Sequence, residues 1–361
     1  MIVVTGADGM VGSALRDVLA QGRRPWRELL RREAPALGGA AECVVGDVTD
    51  RATAGRALAG ATAVIHLAGV APGMKPRRPD HEVAAIDALL AAARGAQVER
   101  FVFLSASGAD VRSTHAWSRA KGEAEERLRA SGLPFTILRA GLLYSATSRP
   151  LEAWRRLLVA DVKLRLPWLR GGRLLPLSAG DAAIALASAL DHHKMAGRTI
   201  DIGAAPELGL ERLQDLLARR LMKKVERGSF SWWSGTPLAE ALARSPEAGL
   251  TDAGSWTRRF AIAEPPDLGE YDRLLPMRRV DFEEELRTYP WGAAPPRPGD
   301  PLPVLREAVD ESLPMFMEGR GAAGGAEPGK DAARFGRVDP FGRIESDDAA
   351  RRAGDPFRKP P

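Results

Sequence analysis

Three glycines at i, i+3 and i+6, within Thr5-Gly6-Ala7-Asp8-Gly9-Met10-Val11-Gly12, separate the apolar run Ile2–Thr5 from a helical pattern over 10–20. Each glycine answers a different steric demand. Gly6 permits a tight turn after a strand, Gly9 lets a diphosphate approach the backbone, and Gly12 lets the helix pack closely on a sheet. The free N–H groups and the positive dipole end of that helix then face the diphosphate. Gly6, Asp8, Gly9, Met10, Val11 and Gly12 are therefore the first candidate cofactor-binding residues.

The surrounding pattern places this loop in a recognisable frame. Short β-rich apolar runs at 2–5, 42–45, 63–67, 100–105 and 135–139 alternate with helical spacing at 10–20, 51–58, 79–94 and 116–131. A further strand is expected near 26–30, its start blurred by Pro25. Strand, helix, strand in repetition predicts an α/β, Rossmann-type fold, a doubly wound parallel sheet with helices on both faces. After about residue 150 the alternation weakens, then resumes with a helix at 181–191, a strand at 198–202 and a helix at 210–221. That reads as a smaller C-terminal portion interleaved with the main sheet. Residues 1–225 are expected to form the main domain, with substrate-side segments at about 141–180 and 203–225, and residues 226–317 an extension. Helices in the extension are placed only loosely, at 237–244, 279–287 and 302–312. From Glu318 the chain turns to Gly, Ala, Asp, Arg and Pro, and residues 318–361 are expected to be a disordered tail. Its repeats, Phe335-Gly336-Arg337 with Phe341-Gly342-Arg343 and Asp339-Pro340-Phe341 with Asp355-Pro356-Phe357, read as compositional drift, with docking peptides as the alternative.

Charge separates the classes of partner. The net charge of +5 is small for 361 residues, and it is unevenly placed: 20 basic against 15 acidic residues in 1–150, 23 against 24 in 151–317, and 9 against 8 in 318–361. The excess falls in the first segment, where Arg23, Arg24, Arg27, Arg31 and Arg32 cluster. A local anion such as a dinucleotide phosphate is implied, and nucleic acid is not. The single cysteine, Cys43, cannot form an internal disulfide and is expected to be a small buried hydrophobe in a reducing, cytoplasmic setting. No signal-peptide pattern and no apolar stretch of membrane-spanning length is read.

Several motifs in order now carry a family resemblance: Thr5–Gly12, Gly46-Asp47, Val64-Ile65-His66-Leu67-Ala68-Gly69, Phe101-Val102-Phe103-Leu104-Ser105-Ala106-Ser107, Lys121-Gly122-Glu123 and Phe135-Thr136-Ile137-Leu138-Arg139-Ala140. Over roughly residues 1–225 the chain resembles the short-chain dehydrogenase/reductase superfamily in its extended and atypical branches, including nucleoside-diphosphate-sugar epimerase-like, NmrA-like and complex I 39-kDa-subunit-like proteins. The resemblance implies an NAD(P)(H) cofactor, with Asp47 by the adenine, Ala68 and Gly69 lining the adenosine side, and Ser105 and Lys121 among the cofactor contacts. At the end of the second strand an acid would suit NAD, whereas Arg31 and Arg32 suit the 2′-phosphate of NADP. Glu28 and Glu33 are the nearby acids, and NADP(H) is favoured.

Catalysis in this family couples a Tyr to a Lys four residues later on one helix face, with a Ser at the end of the fifth strand. Here Lys121 and Ser107 are present, but Trp117 stands where the Tyr belongs. An indole N–H is donor-only and has no accessible pKa, so the usual proton relay is missing. Non-standard or absent redox catalysis, in a regulatory or accessory cofactor-binding role, is the leading expectation. The alternatives are a reductase or epimerase using Lys121 and Ser107 with another proton donor, and an interaction protein acting through its tail. His115 is titratable but off the Lys121 face, Tyr144 is read as a packing aromatic, and Asp181 as a helix N-cap. Ala140 departs from the Pro that commonly follows the family's Arg. Trp154 and Trp168 among Arg and Lys in 151–177 suggest a helix with basic stems over apolar surface, or a lid over an apolar anionic small molecule, or a surface for peripheral membrane contact. His192-His193 does not converge, and no metal site is expected.

Overall fold

The computed structural model describes residues 1–22, 24–32, 42–69, 81–114, 116–145, 148, 151, 173–204, 207–222 and 266–288. All of them lie in the unit Met1–Phe316. The expected helices at 237–244 and 302–312, most of 151–177 and the tail lie outside the described residues.

Seven strands form one sheet: β1 (Ile2–Thr5), β2 (Trp26–Leu30), β3 (Glu42–Val45), β4 (Ala63–His66), β5 (Arg100–Ala106), β6 (Phe135–Ala140) and β10 (Arg198–Ile202). Their order is β10-β6-β5-β4-β1-β2-β3, and every pair in it is parallel. The fold is therefore the doubly wound α/β sheet that the alternation predicts. Successive strands are added on one side of β1 as far as β3 and on its other side from β4 onward, and ligands of such sheets sit outside the strand C-termini at that switch point. The glycine loop leaves β1 there.

Alternating side chains divide the core into two layers. Ile2, Val4, Ile65, Val102, Leu138 and Ile200 pack under α1 (Met10–Gln21) and α5 (Ala179–Asp191). Val3, Leu29, Val64, Phe101, Phe103 and Ile137 pack under α2 (Arg51–Leu58), α3 (His81–Gly95) and α4 (Ala116–Arg129). Three further strands stand apart from the sheet with a fourth: β7 (Leu142–Tyr144) pairs in parallel with β9 (Pro176–Ser178), and β8 (Arg173–Leu174) pairs antiparallel with β11 (Leu208–Gly209). Beyond α6 (Leu210–Arg220), two short helices are described, α7 (Gly269–Leu274) and α8 (Phe282–Thr288). Tyr271 and Leu275 enter the first core layer, so this C-terminal segment packs on the sheet domain.

Two expectations are corrected. Cys43 is exposed, not buried: β3 is the outermost strand of the sheet, and three of its four residues are exposed. Asp181 does not cap its helix. The Ser178 hydroxyl does, accepting the Asp181 N–H at 3.0 Å, while the buried Asp181 carboxylate accepts the Val280 N–H at 3.0 Å.

Candidate dinucleotide site

Gly6 adopts φ +73°, and a Cβ there would stand 2.7 Å from Ala68 N. The β1 turn and the end of β4 therefore touch through backbone alone. Gly9 N–H donates to Gly6 O at 3.0 Å, closing the turn, and Gly9 begins α1 with no side-chain cap and no acid in the first turn. Helix N–H groups left without a side-chain acceptor suit an anion. Asp8 and Gly9 are exposed at the loop tip, Met10 is half-buried, and Val11 and Gly12 are buried. A glycine cradle with these amides fits a dinucleotide diphosphate.

Beneath the loop, Thr5 Oγ1 accepts the Ala68 N–H at 3.2 Å and pairs with His66 Nδ1 at 2.7 Å. His66 is fully buried and stacks on Phe103 with ring centroids 5.4 Å apart. Burial above all, with Lys121 nearby, pushes its pKa down to about 3, so the ring is neutral at physiological pH.

Asp47, Arg31 and His81 gather on one side of the loop, where the family resemblance expects the adenosine. Asp47 Oδ1 accepts from Thr49 N–H and Oγ1, each at 2.9 Å, and lies 3.8 Å from His81 Nε2. The Thr49 backbone bond above all, with the charges of His81 and Arg31, holds the Asp47 carboxyl below its usual range despite some burial. Arg31 and Arg32 are exposed just past β2. Neighbouring arginines are already engaged: Arg24 with Asp191, and Arg27 with Glu42 and the carbonyls of Ala57 and Ala59 at the end of α2. Trp26, Glu28 and Leu30 share the face toward α1, so Glu28 is buried there and bound by Arg16, with Nε donating at 2.7 Å. That acid is withdrawn from any ribose at the strand end. Residue 33 lies outside the described residues.

On the other side of the switch point, Lys121 of α4 donates to Glu82 Oε1 at 2.5 Å and to Leu104 O at 3.2 Å, and lies 4.7 Å from the centre of the Phe103 ring. Gly69 packs against this pair: a Cβ there would stand 2.9 Å from Glu82 Oε2 and 3.4 Å from Lys121 Nζ. Trp117 is half-buried one turn before Lys121, and residue 115 lies outside the described residues. The two serines are turned elsewhere. Ser105 Oγ donates to the buried Glu125 at 2.6 Å, and Ser107 Oγ donates to Asp201 at 3.3 Å. The structure thus brings Lys121 and Gly69 together, and gives the serines carboxylate partners of their own. Glu82 and His66 were not singled out from the sequence. Glu82 lies 39 residues from its partner, and no local pattern marks such a pair.

Tyr144 is buried against Phe282, ring centroids 4.8 Å apart, and its phenol faces the Glu285 carboxyl of α8. Burial, with the Asp181 charge, pushes Glu285 up to about 7, against an opposing effect from Tyr144. A carboxyl whose folded pKa is raised favours folding below its unfolded value, near 4.5, and loses that contribution as pH rises through about 7. Glu285→Gln is expected to remove this slope. Chemical denaturation should find the variant more stable than wild type at about pH 8 and nearly equal to it at about pH 4.

A glycine turn at the switch point of a parallel sheet, opening onto an uncapped helix, defines a Rossmann-type dinucleotide-binding protein. Residues 6–157 match a family model described as NAD(P)H-binding. Among curated proteins, sanguinarine reductase from Eschscholzia californica is 27% identical over 266 residues, covering 60% of this chain and 93% of that protein. The mitochondrial protein fmp52 of Emericella nidulans is 48% identical over 68 residues, and the chain spans only 29% of its length. Among solved structures, an NADPH-dependent quinone oxidoreductase from Escherichia coli in complex with NADPH superposes with a TM-score of 0.61 at 19% identity, over 80% of this chain and 99% of that one. Residues 6–157 thus match an NAD(P)H-binding domain, and the likeness to the solved structure, at 19% identity, is one of fold. No helix among the described residues is long and apolar enough to cross a membrane.

Proposed function

We propose that this protein binds NADP(H) in preference to NAD(H) and reduces acceptors that take a hydride without a protein proton donor. The observation that carries the reading is Trp117 on α4, one turn before a Lys121 whose charge is already neutralised by Glu82. When bound, the dinucleotide supplies hydride from its nicotinamide. A simple ketone accepts hydride only as an acid stabilises the forming alkoxide, and an indole is no acid. Cationic or extensively conjugated acceptors delocalise the incoming electron pair and need no such group. Similarity to a protein named as a reductase supports redox chemistry of this kind.

The residues of the chain have defined parts in this reading. Gly6, Gly9 and Gly12 with the α1 amides hold the diphosphate, Asp47 and Gly69 flank the adenosine, and Arg31 and Arg32 receive the 2′-phosphate. Withdrawal of Glu28 into its pair with Arg16 supports the NADP preference, since no carboxylate from β2 remains to repel that phosphate.

Two measurements test it. Arg31→Ala should weaken NADPH about tenfold, the loss of one charge-assisted phosphate contact, and leave NADH unchanged. Equal losses for both nucleotides would remove the preference. Wild type should oxidise NADPH with quinones and cationic conjugated acceptors and not with simple ketones, whereas Trp117→Tyr should gain ketone activity. Ready turnover of simple ketones by wild type sinks the proposed chemistry. Binding with no turnover of any acceptor leaves a cofactor-binding accessory protein.

A further inference from the structure

Lys121 is the cation that the family resemblance assigns to the cofactor, yet its ammonium is already engaged. It donates to Glu82 and to Leu104 O, and the Phe103 ring covers a third side. Both members of the pair are buried, Glu82 at 4% and Lys121 at 7% exposure. Glu82 stands in the first turn of α3, where the helix dipole favours an acidic side chain, so its place there has a reason independent of Lys121. Gly69 then sets how close the pair comes to the site, because its missing side chain leaves both charged groups directly against the β4 loop.

From this juxtaposition we propose that Glu82 is a positioning residue of the dinucleotide site: it closes Lys121 into a neutral pair and withholds the ammonium from the ribose on the nicotinamide side. The inference rests on the dinucleotide reading and adds a determinant of affinity to it. With Glu82 ionised, the pair presents no net charge to an anionic ligand. Without that carboxylate, one buried cation faces the ligand and is open to a ribose hydroxyl. The effect is confined to the Lys121 end of the crevice. At the adenosine end, the charges that bear on Asp47 are those of His81 and Arg31.

NADPH and adenosine 2′,5′-bisphosphate, which lacks the nicotinamide and its ribose, are titrated by tryptophan fluorescence into wild type, Glu82→Gln, Glu82→Asp, Lys121→Met and the Glu82→Gln/Lys121→Met double variant, with a thermal melt of each. Glu82→Gln is expected to bind NADPH about tenfold tighter, the gain of one charge-assisted hydrogen bond, and the bisphosphate with wild-type affinity. The gain should vanish in the double variant, which keeps the fold by removing both charges. Glu82→Asp, whose shorter side chain holds the ammonium less well, should show part of the gain and serves if Glu82→Gln does not fold. Folded Glu82 variants that bind NADPH no tighter than wild type overturn the proposal. So does an equal gain for both ligands, or a gain that survives loss of Lys121. Wild type that binds neither ligand would instead remove the dinucleotide reading itself.

Discussion

Gly12→Val is expected to abolish NADPH binding, with a loss of at least about 100-fold by fluorescence titration, the scale of a lost diphosphate cradle. A Cβ at position 12 would stand 2.3 Å from Gly6 O and 2.5 Å from Ala7 Cα, both backbone atoms that no side-chain rotation can clear. The loop would have to open, moving Gly6 off the Ala68 backbone and breaking the turn that aims the α1 amides. Stability should fall as well, by about 1–3 kcal/mol as for other overpacked sites. Gly55 is the internal control. It lies in α2 with nothing within 4 Å of an added methyl, so Gly55→Ala should leave NADPH binding unchanged and raise stability by about 0.5–1 kcal/mol. Retained binding in Gly12→Val would place the dinucleotide elsewhere.

Spacing made the sheet legible. The expected strands at 2–5, 26–30, 42–45 and 198–202 coincide with β1, β2, β3 and β10, because apolar runs bounded by turn residues are local signals. The glycine loop was legible for the same reason, its three glycines answering steric needs within seven residues. What sequence could not show is how charge is distributed across the tertiary structure. Glu28 sits in an apolar strand pattern only because Arg16, a turn and a half into α1, reaches it. Cys43 has the pattern of a core residue, yet it is exposed on the outermost strand. Asp181 has the composition of a cap, yet Ser178 lies at the start of the turn and Asp181 is drawn inward to the Val280 amide. The site follows this division. Its backbone half was readable, whereas Glu82 and the serine partners Glu125 and Asp201 depended on contacts 20 to 94 residues apart.

Arg139→Met is expected to be the most destabilising single change that leaves the glycine loop intact. Glu125 is fully buried, and four donors converge on its carboxylate: Ser105 Oγ at 2.6 Å, Arg139 Nε at 2.9 Å, Arg139 Nη2 at 2.6 Å and Arg129 Nη2 at 2.6 Å. Removing Arg139 takes two of those bonds and leaves the charge to Arg129, whose side chain is 39% exposed and correspondingly screened. Truncating one partner of a buried pair costs about 3–5 kcal/mol, and for a domain of this size the melting temperature should fall by about 10 °C. Glu125→Leu/Arg139→Met removes both charges together and should recover most of that loss, since the greater cost lies in the stranded carboxylate. The network also fixes the Ser105 hydroxyl and the α4 turn that follows Lys121. Arg139→Met should therefore weaken NADPH binding where the double variant restores it. A melting temperature within about 2 °C of wild type for Arg139→Met would mean that Arg129 alone suffices to hold Glu125.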